Sequence, residues 1–199
     1  THYPDKIYMV NKNLGFIRDG AAPSGGYIGR TTDGGFNWVL NTNVDTTFRD
    51  MYFLDSLTGY KCDGNIQKTT DGGNTWTWQV LPHLNYANLI FKFSFVSRDT
   101  IFGVGGIYSY QFVDRGLVYK TTNGGANWGY QIPDTSYRIY QYRFINFVNG
   151  LKGWAFPISV NRNIYTFTGG DTTIYTFING HENTTVKNFE LKQNHPNPY

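Results

Sequence analysis

The nine residues Lys68-Thr69-Thr70-Asp71-Gly72-Gly73-Asn74-Thr75-Trp76 recur as Arg30-Thr31-Thr32-Asp33-Gly34-Gly35-Phe36-Asn37-Trp38, and again as Lys120-Thr121-Thr122-Asn123-Gly124-Gly125-Ala126-Asn127-Trp128. A degraded fourth copy is read at Tyr165-Thr166-Phe167-Thr168-Gly169-Gly170-Asp171-Thr172-Thr173, which lacks the Trp. Self-similarity of this kind marks a repeat architecture and decides the fold before any single element does. Within each copy the Thr-Thr pair suits a strand. Asp-Gly-Gly supplies a side-chain acceptor for turn amides and two residues that tolerate positive φ. The Trp, five residues after the Asp or Asn, is expected to begin the next strand and fold back as an apolar anchor. Asn123 keeps the acceptor without the charge, so the position asks for an oxygen more than for an anion. Asp33, Gly34, Gly35 and Trp38, with Asp71, Gly72, Gly73 and Trp76, and Asn123, Gly124, Gly125 and Trp128, are therefore read as structural hairpin locks in preference to calcium or sugar sites.

The rest of the chain agrees with an all-β fold. Apolar residues make up 40% and aromatics 18%, and 23 glycines break the chain into short segments with no long stretch of helical period. A net charge of +3 from scattered Lys and Arg leaves no footprint for nucleic acid or an anionic membrane. Cys62 is the single cysteine, which excludes an internal disulfide and a cysteine-rich metal site. No apolar run is long enough to span a bilayer as a helix. Without an initiator Met or leader at Thr1, the chain is expected to begin within, or after processing of, a longer product.

The repeat divides residues 1–180 into units at about 6–40, 48–81, 90–132 and 142–178, followed by a polar stretch at 181–199. Each unit holds four candidate strands, and Asp63-Gly64-Asn65 is a strong hairpin turn in the second. Four-stranded units of this length describe propeller blades. The array either closes as a compact ring, forms part of a larger one, or is completed by another copy, because unpaired edges invite strand addition.

The repeated motif resembles the Asp-box, or bacterial neuraminidase repeat, and in its Lys-Thr-Thr-Asp-Gly-Gly-x-x-Trp form is most similar to the photosystem II assembly and stability factor-like propellers. In those families the box joins the third and fourth strands of a blade, away from the active face, so the resemblance implies a fold and little about function. The tail Phe189-Glu190-Leu191-Lys192-Gln193-Asn194-His195-Pro196-Asn197-Pro198-Tyr199 resembles the opening of the type IX secretion C-terminal sorting domain, through Leu191, Gln193, Asn194, Pro196, Asn197 and Pro198. It departs at Tyr199, where Phe is usual. This resemblance implies recognition by a secretion machinery and delivery to the surface or surroundings of an outer-membrane bacterium.

A sialidase-like enzyme is the tempting alternative, and the residues argue against it. The only glutamates, Glu182 and Glu190, lie beyond the last unit, and Phe48-Arg49 continues as Asp50-Met51 rather than Ile-Pro. A glycosidase needs two carboxylates facing one site, and nothing in the spacing of the aspartates brings a pair together. No catalytic residue, metal ligand or cofactor is assigned. Tyr108, Tyr110, Tyr137, Arg138, Tyr140, Tyr142 and Arg143 form Tyr-dense stretches interleaved with Arg, a composition enriched in interfaces. They are offered as a contact patch for a protein partner or another copy. The expected function is thus a secreted, non-enzymatic interaction or self-assembly module, with a carbohydrate-active protein (hydrolase or lectin) as the alternative.

Overall fold

The computed structural model describes residues 4–19, 27–41, 47–82, 87–110, 113–133, 139–157, 163–170 and 192–193. They form sixteen strands in four antiparallel four-stranded sheets. Sheet 1 is β1 (Pro4–Met9), β2 (Gly15–Asp19), β3 (Tyr27–Thr31) and β4 (Val39–Asn41). Sheet 2 is β5 (Asp50–Phe53), β6 (Gly59–Asp63), β7 (Asn65–Thr69) and β8 (Thr77–Gln79). Sheet 3 is β9 (Ala87–Phe95), β10 (Ile101–Tyr110), β11 (Val113–Thr121) and β12 (Gly129–Gln131). Sheet 4 is β13 (Tyr142–Phe147), β14 (Gly153–Pro157), β15 (Ile164–Thr166) and β16 (Lys192–Gln193). Each is a meander in sequence order. The fourth sheet takes its outer strand from the tail, with Tyr165 opposite Lys192 and Ile164 opposite Gln193. The chain divides into two compact units, Thr1–Trp78 and Gln79–Tyr199.

In the first unit, Leu14, Phe16, Ile28, Phe48, Met51 and Phe53 are buried together, with Tyr8, Val10 and Trp76 packed on them. The Phe16 and Phe53 rings stack at 5.3 Å, joining sheet 1 to sheet 2. In the second unit, Phe102, Val118, Tyr142, Ile145, Phe147 and Ile164 belong to the corresponding cluster. There Phe102 and Phe147 stack at 3.6 Å, joining sheet 3 to sheet 4. Each such ring contributes about 1.5–3 kcal/mol through burial, alongside the other members of its cluster.

Burial along the strands records how many faces of a sheet are covered. On β6, Gly59, Tyr60, Lys61 and Cys62 are buried in succession, the pattern of a strand covered on both sides. On β1 and β13 burial alternates, leaving every second side chain exposed. Sheet 3 is the longest. Its middle hairpin continues to Tyr110 opposite Val113, helped past a register shift by Gly105 at φ 144°, where any side chain would meet the Leu89 carbonyl.

Candidate functional site

The repeated motif builds the same turn four times, at one end of each sheet. Its hub is the first Thr of the pair. Thr31, Thr69, Thr121 and Thr166 each accept the N–H of the second glycine on their Oγ1, at 2.9, 2.9, 3.0 and 2.9 Å. They also accept the N–H two residues on, from Asp33, Asp71, Asn123 and Thr168. In the three complete copies the Thr hydroxyl donates to the Asp or Asn Oδ1 at 2.8, 2.8 and 3.0 Å. That oxygen also accepts the backbone N–H of Asn37, Thr75 or Asn127, each at 2.9 Å. The glycine pairs have φ between 62° and 96° in all four copies, a region that L side chains rarely adopt. The first glycine of each pair donates its N–H to the preceding turn of its own sheet, at Asn13, Leu57, Asp99 or Leu151. The motif therefore clips the outer hairpin of a sheet to its inner one.

The turn carboxylates are consumed by this work. Backbone and side-chain hydrogen bonds from Asn37, with one from Thr31, hold Asp33 at a pKa of about 2. For Asp71, burial acts upward but is outweighed by hydrogen bonds from Thr75 and Thr69, again leaving it at about 2. Neither can act as a general acid near neutrality. Trp38, Trp76 and Trp128 each immediately precede the outer strand and differ in depth. Trp128 is buried. Trp76 is half-buried, edge-on to Phe16 and Phe53 at 6.2 and 6.0 Å. The half-buried Trp38 donates its Nε1–H to Gly35 O at 3.0 Å.

At the opposite end of the first unit lies a chain of ion pairs that the sequence reading did not single out. Arg18 grips Asp5 through both carboxylate oxygens at 2.8 and 2.5 Å and donates to the Phe48 carbonyl. The hydrogen bond from Arg18 keeps the Asp5 carboxyl below its ordinary range. Lys6 donates to the Arg49 carbonyl and lies 4.0 Å from Asp50, while Arg49 Nε donates to Asp63 at 2.8 Å.

Beside these groups, on sheet 2, is a polar cavity of about 70 Å³ lined by Thr47, Lys61, Cys62, Asp63, Asn65, Gln67 and Trp78. Lys61 and Gln67 sit directly opposite each other across β6 and β7, 2% and 6% exposed. The Lys61 ammonium lies 5.2 Å from the Trp76 ring centre. The Gln67 Oε1 is buried without a hydrogen-bond partner, a state that costs about 1–3 kcal/mol for a polar group. Trp78 forms one wall and is half exposed. Cys62 is buried as a packed side chain.

The described residues of the Tyr-dense stretches lie in different settings. Tyr142 is 1% exposed and belongs to the core of the second unit, where burial raises its pKa. Tyr140 is exposed, Tyr108 is half-buried, and Arg143 stacks over the Phe91 ring at 4.7 Å. Tyr137 and Arg138 lie outside the described residues, as does the side chain of Tyr110. Leu191, Asn194, Pro196, Asn197 and Pro198 of the tail are likewise outside them, and Gln193 is described only as backbone of β16. Among the described residues no group of three or more His, Cys, Asp or Glu could hold a metal ion.

No protein-family model and no curated protein matches the chain. Solved structures do. The structure titled YCF48 bound to D1 peptide is similar over 88% of this chain and 53% of its own, with TM-score 0.56 and 18% identity. YCF48 from Cyanidioschyzon merolae is similar over 88% and 56%, with TM-score 0.55 and 18% identity. The fold is of the β-propeller type. At this identity the likeness speaks for the fold alone, and the chain spans about half the length of the YCF48 structures it matches.

Proposed function

We propose that the chain is a non-enzymatic propeller module that binds a polypeptide. An extended segment of the partner would place a hydrogen-bond-donating side chain (Lys, Arg, Asn or Gln) into the cavity of sheet 2. The observation that carries this reading is the buried, unpartnered Gln67 Oε1 on the wall of a cavity beside the half-exposed Trp78. A buried acceptor without a partner asks for a donor. Size separates this reading from the carbohydrate alternative. Small-molecule sites are typically about 300–1,000 Å³, whereas about 70 Å³ suits the tip of a side chain better than a sugar ring. The carboxylates at this end are also engaged, Asp5 with Arg18, Asp50 near Lys6, and Asp63 with Arg49. A propeller of similar fold with a bound D1 peptide supports the class of ligand.

Export to the cell surface or surroundings is part of the proposal and is supported by the resemblance of Phe189–Tyr199 to a type IX sorting signal. Deleting 194–199, which leaves β16 in place, from the protein in its native host should then trap it inside the cell, and undiminished export would contradict that part. The binding reading is tested by panning a random-peptide display library against the wild type and Gln67→Leu. Peptides enriched on the wild type should share a Lys, Arg, Asn or Gln and lose at least tenfold in affinity on Gln67→Leu. Equal enrichment on both proteins would refute the site. Binding to a glycan array with no peptide enrichment would favour the lectin alternative.

A further inference from the structure

The two sheet-to-sheet junctions follow one rule, and two of the faces they do not use are exposed. Gly15 opposite Thr31, Gly59 opposite Thr69 and Gly153 opposite Thr166 put sheets 1, 2 and 4 in one frame. In this frame Phe53 and Phe147 are equivalent, each opposite the glycine, and both are buried. Phe16 in sheet 1 follows that glycine by one residue, as Trp154 does in sheet 4 and Phe102 follows Ile101 in sheet 3, where Ile101 is opposite Thr121. Each junction stacks one ring of each class, Phe16 on Phe53 in the first unit and Phe102 on Phe147 in the second. One face of the earlier sheet thus always meets the other face of the later sheet.

Of the members these two stacks leave unused, Tyr60 in sheet 2 is buried and Phe95 in sheet 3 is half-buried, whereas one of each class, in sheets 1 and 4, is exposed. In sheet 1 the position of Phe53 is Met9, 41% exposed, on a face shared with Ile7 at 62%, the half-buried Ile17, and Leu40 at 39%. In sheet 4 the position of Phe16 is Trp154, 39% exposed, on a face with Tyr165. Phe144, 55% exposed, lies on the same face, opposite Phe156. Exposed contiguous apolar faces mark interaction sites, and this pair has the two complementary classes that the molecule already joins twice.

We propose that sheet 4 of one copy packs against sheet 1 of a second copy, with Trp154 on Met9 as the counterpart of the two phenylalanine stacks. The occupant is a second copy because the chain itself carries both halves of the junction. The contact is heterologous, so it yields a closed ring or an open fibre according to the rotation between copies. The inference is independent of the peptide-binding proposal, whose cavity lies on sheet 2.

The test is light scattering coupled to size exclusion on the purified chain over about a hundredfold range of concentration, with Met9→Glu and Trp154→Glu. Both side chains are exposed, and circular dichroism verifies that each variant folds. The wild type should self-associate and each variant alone should be monomeric. An equimolar mixture of the two variants should form a one-to-one dimer, because each retains the face the other lacks. A wild type that stays monomeric throughout overturns the proposal, as do variants that associate like the wild type or a mixture that does not dimerise. Peptide binding by both variants should stay at the wild-type level, which keeps failure of this interface distinct from failure of the cavity.

Discussion

Replacing the hub of the repeated turn is the sharpest perturbation of the fold. Thr69 is 1% exposed. Its Oγ1 accepts the N–H of Gly73 at 2.9 Å and of Asp71 at 3.3 Å, and donates to the Asp71 carboxylate at 2.8 Å. Thr69→Val keeps the volume and branching, so no cavity is created and the loss is confined to hydrogen bonding. Breaking the bond to the carboxylate costs about 1.5–3 kcal/mol, and a glycine amide left without its acceptor adds about 1–3 kcal/mol if water cannot reach it. Gly73 is only half-buried, so the lower end of the second figure applies and the sum is roughly 2–4 kcal/mol. With a urea dependence of about 2 kcal/mol/M, the middle of the usual range, that lowers the midpoint by about 1–2 M. The assay is urea unfolding followed by tryptophan fluorescence, with Thr69→Ser and Thr70→Val as controls. Thr69→Ser keeps the hydroxyl and should retain most of the stability. Thr70 is exposed, and its change to Val should stay within about 0.5 kcal/mol. A midpoint for Thr69→Val within error of wild type, or an equal loss from Thr70→Val, would refute the role given to the first Thr.

Three further expectations follow from the same geometry. Asp33 and Asp71 ionise at about 2 in the fold against an ordinary 3.8, so their stabilisation is present above about pH 4 and is lost as pH falls towards 2. Asp33→Asn/Asp71→Asn should flatten the melting temperature over that acid range, and an unchanged acid slope would contradict the pairing. Trp128→Ala removes a ring only 3% exposed and should cost about 3–5 kcal/mol; Trp38→Ala, at a half-buried ring, should cost less than half of that in the same denaturation assay. Gln67→Leu replaces an unpartnered buried amide oxygen with apolar atoms and should leave the melting temperature unchanged or raised, so a large drop would mean that Gln67 holds the sheet together.

Much of the architecture was legible because its determinants are local. Gly-Gly pairs and an Asp or Asn acceptor specify a turn wherever they occur, and the four-strand rhythm follows from counting between turns. The hub role of Thr31, Thr69, Thr121 and Thr166 was not legible in the same way. A β-branched pair reads as strand propensity, and only coordinates distinguish the buried first Thr from the exposed second. The degraded fourth copy looked worn because it lacks Asp and Trp, yet Thr166 and Gly170 preserve its key hydrogen bond. In the Tyr-dense stretches neighbouring tyrosines differ because only one of them has entered a strand. Tyr140 lies just before β13, exposed, while Tyr142 begins the strand with its side chain inward. Gln67 and Lys61 gave no signal, since isolated polar residues in a strand ordinarily face solvent and only tertiary packing buries them. Nor does local pattern announce β16, whose two residues pair with β15 from far along the chain.

The central claim is that a partner polypeptide is read at the cavity of sheet 2. The most direct measurement is a two-dimensional NMR titration of the labelled protein with a peptide selected on the wild type, following the Gln67 side-chain amide and the Trp78 indole N–H. The account predicts saturable shifts concentrated at Lys61, Gln67 and Trp78, with the repeated turns at Asp33, Asp71 and Asn123 unmoved. Shifts confined to those turns, or none at Gln67 and Trp78 under saturating peptide, would contradict it.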